Sequence, residues 1–193
     1  MPPKRSEIVR VAQEHGHTEP HPADDLSGCD VARKLTILAR MVSLYNTSSS
    51  SPSSSPPSPP LSEGYVSVPT QSLIPAALGD IEDASEFVAR LPGFDADFDA
   101  MRDEAAREGR VLRYVGVIDC AKGQIKCGLR KYPTSHPFAS LTGSHLSIAF
   151  WTKRYSERPL IVQGPGYPLE VTASAVVADC IRVAERCGAR LGL

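Results

Sequence analysis

Apolar side chains recur at helical spacing between residues 30 and 42. At about 100° per residue, Val31, Leu35, Leu38, Met41 and Val42 fall on one broad arc, with Arg33, Thr36 and Arg40 opposite. Ser27 offers an N-cap hydroxyl and Asp30 a negative charge in the first turn, so the pattern predicts an amphipathic helix. Asp30 and Lys34 stand four apart and stack on one face, at azimuths that bracket Met41 inside or beside the apolar arc. An ammonium among apolar neighbours needs a partner. Desolvation lowers its pKa and a nearby carboxylate raises it, and the balance sets whether it gives up a proton near neutral pH. A plain i,i+4 ion pair, contributing a few tenths of a kcal/mol, is the other reading of the same spacing.

The rest of the chain continues in short periodic segments. Residues 6–14 predict a helix closed by Gly16, and residues 64–73 alternate as an edge strand limited by Pro69. Residues 80–91 and 95–108 predict two amphipathic helices, each ended by glycine or proline–glycine. Residues 111–119 and 124–131 predict a β-hairpin, and residues 146–152 and 160–163 two further strands. A last helix is expected over 170–186. Strand pairs interleaved with helices argue for an α+β fold, a mostly antiparallel or mixed sheet covered by helices on one side.

Composition narrows the classes. With 193 residues and 41% hydrophobic content there is enough for a core, and a net charge of −1 leaves no electrostatic footprint for nucleic acid or an anionic membrane. No eighteen-residue apolar run and no signal-peptide h-region are present, so a cytoplasmic protein is expected. Five cysteines without a C-x-x-C read as reduced thiols. His15, His17 and His21 cluster with Glu19, which is metal-ligand chemistry. Pro20 and Pro22 work against convergence, so these histidines read as surface groups and no metal is expected. His136, followed by Pro137, reads as a loop anchor rather than a general base. Residues 47–60 contain eight serines and five prolines, a tract that cannot bury apolar surface. The expected organisation is therefore residues 1–46, a disordered insertion over 47–62, and residues 63–193. A phosphorylatable or partner-binding role is the alternative for the insertion.

The segment GHTEPHPADDLSGCDVARKLTILAR, from Gly16 to Arg40, resembles the catalytic signature of homoserine dehydrogenase, G-[YH]-T-E-P-x-P-x-x-D-L-x-G-x-D-x-x-R-K. Gly16, Thr18, Glu19, Pro20, Pro22, Asp25, Leu26, Gly28, Asp30, Arg33 and Lys34 fall in register. The phrases QSLIP from Gln71 and YPTSHPFASL from Tyr132 are similar to the family as well. The resemblance implies reduction of L-aspartate 4-semialdehyde to L-homoserine with NADP or NAD as cofactor, on the route to threonine and methionine. It makes Lys34 the acid–base residue. Glu19, Asp30 and Asp25, with the Gly16 backbone alongside, become the substrate-binding groups. Hydride arriving at an aldehyde leaves negative charge on oxygen, which a positioned cation that can donate a proton relieves. The substrate's α-ammonium asks for carboxylates. His17 stands where the family usually has tyrosine.

Near the end of the chain, Gly164, Gly166, Val171, Thr172 and Ala173 match the family's glycine-rich turn, which implies cofactor contact at Gly164, Gly166 and Pro168. Pro168 replaces the turn's closing glycine, and His145–Leu146–Ser147 departs from the family's D-N-I. Only seven residues precede Ile8, too few for a strand–turn–helix that seats a dinucleotide. The expectation is a C-terminal catalytic portion that needs a separate nucleotide-binding half. The expected partners are a small-molecule substrate and, through the sheet, a second copy. A non-catalytic folding or dimerisation module is the alternative.

Overall fold

The computed structural model describes residues 3–48, 61–143, 145–166 and 169–188, and its contacts divide the chain into two units, Met1–Thr134 and Ser135–Leu193. Residues 49–60 of the serine–proline tract and Tyr167 and Pro168 of the glycine-rich turn lie outside the described residues. The fold is α+β, and among the described residues four strands pair in two antiparallel hairpins.

In the first unit, α1 (Arg5–Glu14) precedes a loop in which Gly16 takes the left-handed conformation at φ 68°. Two helices follow in place of one: α2 (Pro22–Ser27) and α3 (Cys29–Ser48), separated by Gly28 at φ 78°. The short α2 starts with proline at its first position and is capped by a ring, the Ala23 N–H donating to His21 Nδ1 at 3.1 Å. Ser27, expected as the N-cap of α3, does accept from the Cys29 N–H at 3.1 Å. Helix α4 (Ala84–Arg90) runs into a 3-10 turn, Leu91–Phe94, and α5 (Asp95–Arg107) follows. Strands β1 (Arg110–Asp119) and β2 (Gln124–Pro133) form the hairpin, in a register that sets Tyr114 opposite Leu129, Gly116 opposite Cys127 and Ile118 opposite Ile125.

The edge strand expected over 64–73 is not formed. Leu61–Ser67 is a 3-10 turn kinked at Gly64, and the segment pairs with β2 as a single parallel bridge from Thr70 to Cys127, with the Leu129 N–H also donating to Gln71 Oε1 at 2.9 Å. Pro69 explains the brevity: lacking an N–H, it gives its carbonyl to the Cys127 N–H at 3.0 Å, while the Gln71 N–H returns to the Cys127 carbonyl at 3.0 Å.

Helix α3 also packs on a different face from the expected one. Ala32, Leu35, Thr36 and Ala39 are buried, whereas Leu38, Met41 and Val42 are exposed, so the inner face lies roughly a quarter turn from the arc of large side chains at about 100° per residue. The reason is close approach. A β-carbon on Gly116 of β1 would lie 2.7 to 3.0 Å from the end of the Leu35 side chain, and small residues on either side of Leu35 let the helix sit against the strands. Thr36 is tolerated there because its hydroxyl donates to the Ala32 carbonyl at 2.9 Å. This face joins Val68, Ile125 and Cys127 in one core, with Val31, Tyr114 and Ile118 against it.

A second core gathers Val9, Leu78, Phe87 and Leu91, flanked by Ala23, Leu26, Ile74 and Ile81. Ser6 and Asp95 tie α1 to α5, the buried Ser6 hydroxyl donating to Asp95 Oδ2 at 2.5 Å and its N–H to Oδ1 at 2.9 Å. Lys131 of β2 reaches Glu108 at 2.7 Å and Glu104 at 3.2 Å.

The second unit holds β3 (His145–Phe150), β4 (Leu160–Pro165) and α6 (Leu169–Arg186). Its register places Ile148 opposite Val162 and Phe150 opposite Leu160, so Leu146, Ile148, Phe150, Leu160 and Val162 share one hairpin face, and all are exposed. None of the described residues of α6 is buried. His136 is a loop anchor here, its Nδ1 accepting from the Phe138 N–H at 3.1 Å with the two rings 4.8 Å apart. No helix among the described residues is long and apolar enough to cross a membrane.

Candidate active site

The signature segment forms a loop followed by two helices, each part fixed by its own residues. Thr18 turns its hydroxyl onto the Glu19 carbonyl at 2.9 Å, and the Glu19 N–H donates to Asp25 Oδ2 at 2.9 Å, which closes the loop onto α2. His21 pins the same loop from behind. Its Nδ1 is an acceptor, so Nε2 carries the proton and donates to the Ile81 carbonyl at 3.1 Å, with the ring 5.3 Å from Phe87. Pro22 is fully buried beside it. The three histidines thus differ in role: His21 is structural, while His15 and His17 are exposed and stack on each other at 6.0 Å. His15 and His17 also line a cavity of about 510 Å³ along α1 with Glu7, Ile8 and Val11.

Beyond Gly28 the first turns of α3 present Asp30 and Lys34, whose Nζ lies 2.5 Å from Asp30 Oδ2. Both side chains are more than half exposed, at 57% and 59%, so the dry setting expected for this pair is not what the helix provides. The shift of the buried face accounts for it. With Ala32, Leu35, Thr36 and Ala39 turned inward, the outer face carries the ion pair among exposed Ile37, Leu38 and Met41. The pair is therefore hydrated and set among apolar side chains that are also exposed, a patch able to accept a ligand with both a charged and an apolar part.

The neighbouring Arg33 faces another way. Its guanidinium lies 4.7 Å from the Tyr65 ring centre, and its pKa is raised mainly by bonding to Tyr65, so it ties α3 to the 3-10 turn Leu61–Ser67 that follows it in the chain. Of the expected substrate groups, the structure brings Asp30 to Lys34 and Asp25 to Glu19, as two pairs. Gly16 sits at the loop's start, with open space where a β-carbon would stand.

The glycine-rich turn belongs to the second unit. Gly164 lies within β4 and Gly166 just after it, and a β-carbon on Gly164 would meet nothing within 4 Å, so the backbone is open to a flat group. The first turn of α6 carries Glu170, which opposes an anion at that helix end. Among the described residues of this turn, the open backbone at Gly164 fits the flat nicotinamide end of a dinucleotide, and Glu170 opposes its phosphates. Pro168, the third expected contact, lies outside the described residues.

The residues missed by the sequence reading are Thr70, Tyr114 and Cys127, which meet at Gly28. Tyr114 and Cys127 sit across the hairpin and Thr70 on the crossing segment, so only their shared register, with glycine and aromatic at alternate positions of β1, hinted at a close approach.

Residues 2–181 match the family model described as homoserine dehydrogenase. A homoserine dehydrogenase from Schizosaccharomyces pombe is 45% identical over 178 residues, which is 92% of this chain and 43% of the relative. Among solved structures, a Candida auris protein of unknown function shares 40% identity at a TM-score of 0.78, over 96% of this chain and 47% of that one. A putative homoserine dehydrogenase from Archaeoglobus fulgidus, 23% identical, shares the fold at a TM-score of 0.55, over 92% of this chain and 42% of its own. The chain spans under half the length of these relatives. It belongs to the homoserine dehydrogenase family.

Proposed function

We propose that this chain supplies the substrate-binding and proton-donating groups for reduction of L-aspartate 4-semialdehyde to L-homoserine, a step of amino-acid biosynthesis leading to threonine, methionine and isoleucine. The observation that carries the reading is the Lys34–Asp30 pair, displayed on the outer face of α3 within a segment that matches the family signature. Lys34 neutralises the charge that develops on the aldehyde oxygen and delivers a proton to it. Asp30 holds Lys34 in place and, with Glu19, receives the substrate's ammonium through charge-assisted hydrogen bonds. Asp25 fixes the Glu19 backbone and adds a carboxylate on the same loop, and the Gly16 backbone lines its start. A nicotinamide cofactor, NADP or NAD, supplies the hydride when bound. The open backbone at Gly164, with Gly166 just beyond it, suits its ring, and its phosphates need a dinucleotide-binding domain.

The chain is expected to oxidise no NADPH above background with L-aspartate 4-semialdehyde when assayed by itself. Joined to a dinucleotide-binding domain it turns over, and Lys34→Ala lowers kcat by about 10²- to 10⁴-fold, as loss of a positioned acid does. An unchanged kcat removes Lys34 from the chemistry.

A second reading has its own observation. The exposed apolar face of the β3–β4 hairpin suits association of copies through the sheet, with or without catalysis. Sedimentation of the purified chain as a monomer at all concentrations removes that reading.

A further inference from the structure

Gly28 stands two residues before Asp30, at the joint between α2 and α3. A β-carbon there would lie 2.0 Å from Tyr114 Oη and 2.8 Å from Thr70 Cγ2, so the phenol of β1 rests directly against the backbone of the joint. That hydroxyl donates to the Gln71 carbonyl at 2.8 Å, and Cys127 Sγ lies 3.8 Å from it. Cys127 Sγ is 3.3 Å from Thr70 Oγ1 and 3.9 Å from the Gly28 carbonyl. The same carbonyl accepts the Ala32 N–H at 3.0 Å, one of the first bonds of α3. Groups from β1, β2 and the crossing segment thus converge on the residue that sets where α3 starts.

We propose that Tyr114 is a positioning residue for the reaction: its hydroxyl, with Thr70 and Cys127, sets the origin of α3 and so the placement of Asp30 and Lys34. The inference rests on the reading of Lys34 as proton donor. Asp30 and Lys34 lie about half a turn and about one and a half turns beyond Gly28, near enough that a shift of the joint moves both. Misplacement of a reacting group by about 1 Å can cost about 10²-fold in rate. Burial, and then the contact with Cys127, raises the Tyr114 pKa well above the ordinary tyrosine value, so the hydroxyl remains a donor into the alkaline range as well as at neutral pH.

Tyr114→Phe keeps the ring and removes only the hydroxyl. In the chain joined to a dinucleotide-binding domain, kcat is expected to fall about tenfold, while KM for NADPH and the melting temperature stay close to the parent values. A lower melting temperature with unchanged kcat overturns the proposal and leaves Tyr114 a packing residue. Gly28→Ala should lose more, because its methyl strikes the hydroxyl and because φ 78° strains any side chain there, and adding Tyr114→Phe to it should return only the part of the loss due to the hydroxyl. The placement is read separately, from the backbone amide resonances of Asp30 and Lys34 in Tyr114→Phe. Shifted resonances in a chain without dehydrogenase activity uphold the positioning role and remove the proposed reaction. Unmoved resonances overturn the positioning role whatever the activity.

Discussion

Residues 1–134 and residues 135–193 place their apolar side chains in contrasting ways. In the first unit Phe87 and Leu91 are closed off from water, and Leu35 of α3 is pressed against a glycine of β1. In the second, Phe138 is buried, but five large residues share one open hairpin face and α6 has no buried residue among those described. The contrast separates two kinds of functional position. The proposed proton donor stands on a helix whose inner face and starting residue are both fixed within its own unit. The glycine turn offered to the cofactor belongs to a unit whose apolar surface is open.

The most severe way to break this contrast is to empty the closed core. Phe87→Ala is expected to destabilise residues 1–134 by about 3–5 kcal/mol, read as a lower denaturant midpoint. A loss below 1 kcal/mol would mean that this core is no better closed than the second unit's surface.

Alkaline pH tests the joint beneath α3. The folded-state pKa of Tyr114 is raised, so its contribution to stability is complete below the unfolded value of about 10 and is lost as pH rises through the folded value. Tyr114→Phe should remove part of the alkaline loss of stability. Tyr132, also raised by burial, and Lys131, raised by its bond to Glu108, still lose their contributions at alkaline pH in the variant. Equal alkaline slopes in parent and variant would show that the phenol is not held protonated by its surroundings.

The smallest effect is expected on the open face. Ile148→Thr retains β-branching, and with Ile148 half exposed it should alter stability by about 0.5 kcal/mol or less. A loss several times larger would show the face to be covered, and the contrast between the units would disappear.

Much of the fold was legible from spacing alone. The two hairpins and the helices α1, α5 and α6 follow from period 2 and period 3.6, because their patterns are long enough to outweigh local accidents. Helix α2 was not legible: six residues are too few for a period, and its cap is an imidazole ring rather than a hydroxyl. The segment 64–73 alternates like a strand, yet proline and a kinked glycine leave it one bridge. For α3, periodicity ranks side chains by size and so pointed to Leu38 and Met41. The face that packs is the one that carries Leu35 onto Gly116, far along the chain, with Ala32, Thr36 and Ala39 buried beside it.

The candidate site was legible as a spelling, through the resemblance of residues 16–40, and its i,i+4 pair formed as the spacing required. Its exposure was not, since that depends on which side of α3 turns inward. The node at Gly28 was not legible either, because it joins residues brought together only by the hairpin register and the Thr70 bridge.

The openness of Lys34 and Asp30 has a consequence for how a charged metabolite would be captured. Opposite charges 2.5 Å apart largely cancel at a distance, and dissolved salt damps what remains over about 8 Å at physiological ionic strength. An incoming molecule would sense the pair only in its last few water layers. Selection at this place is then a matter of shape and hydrogen-bond fit on contact, with little guidance from afar.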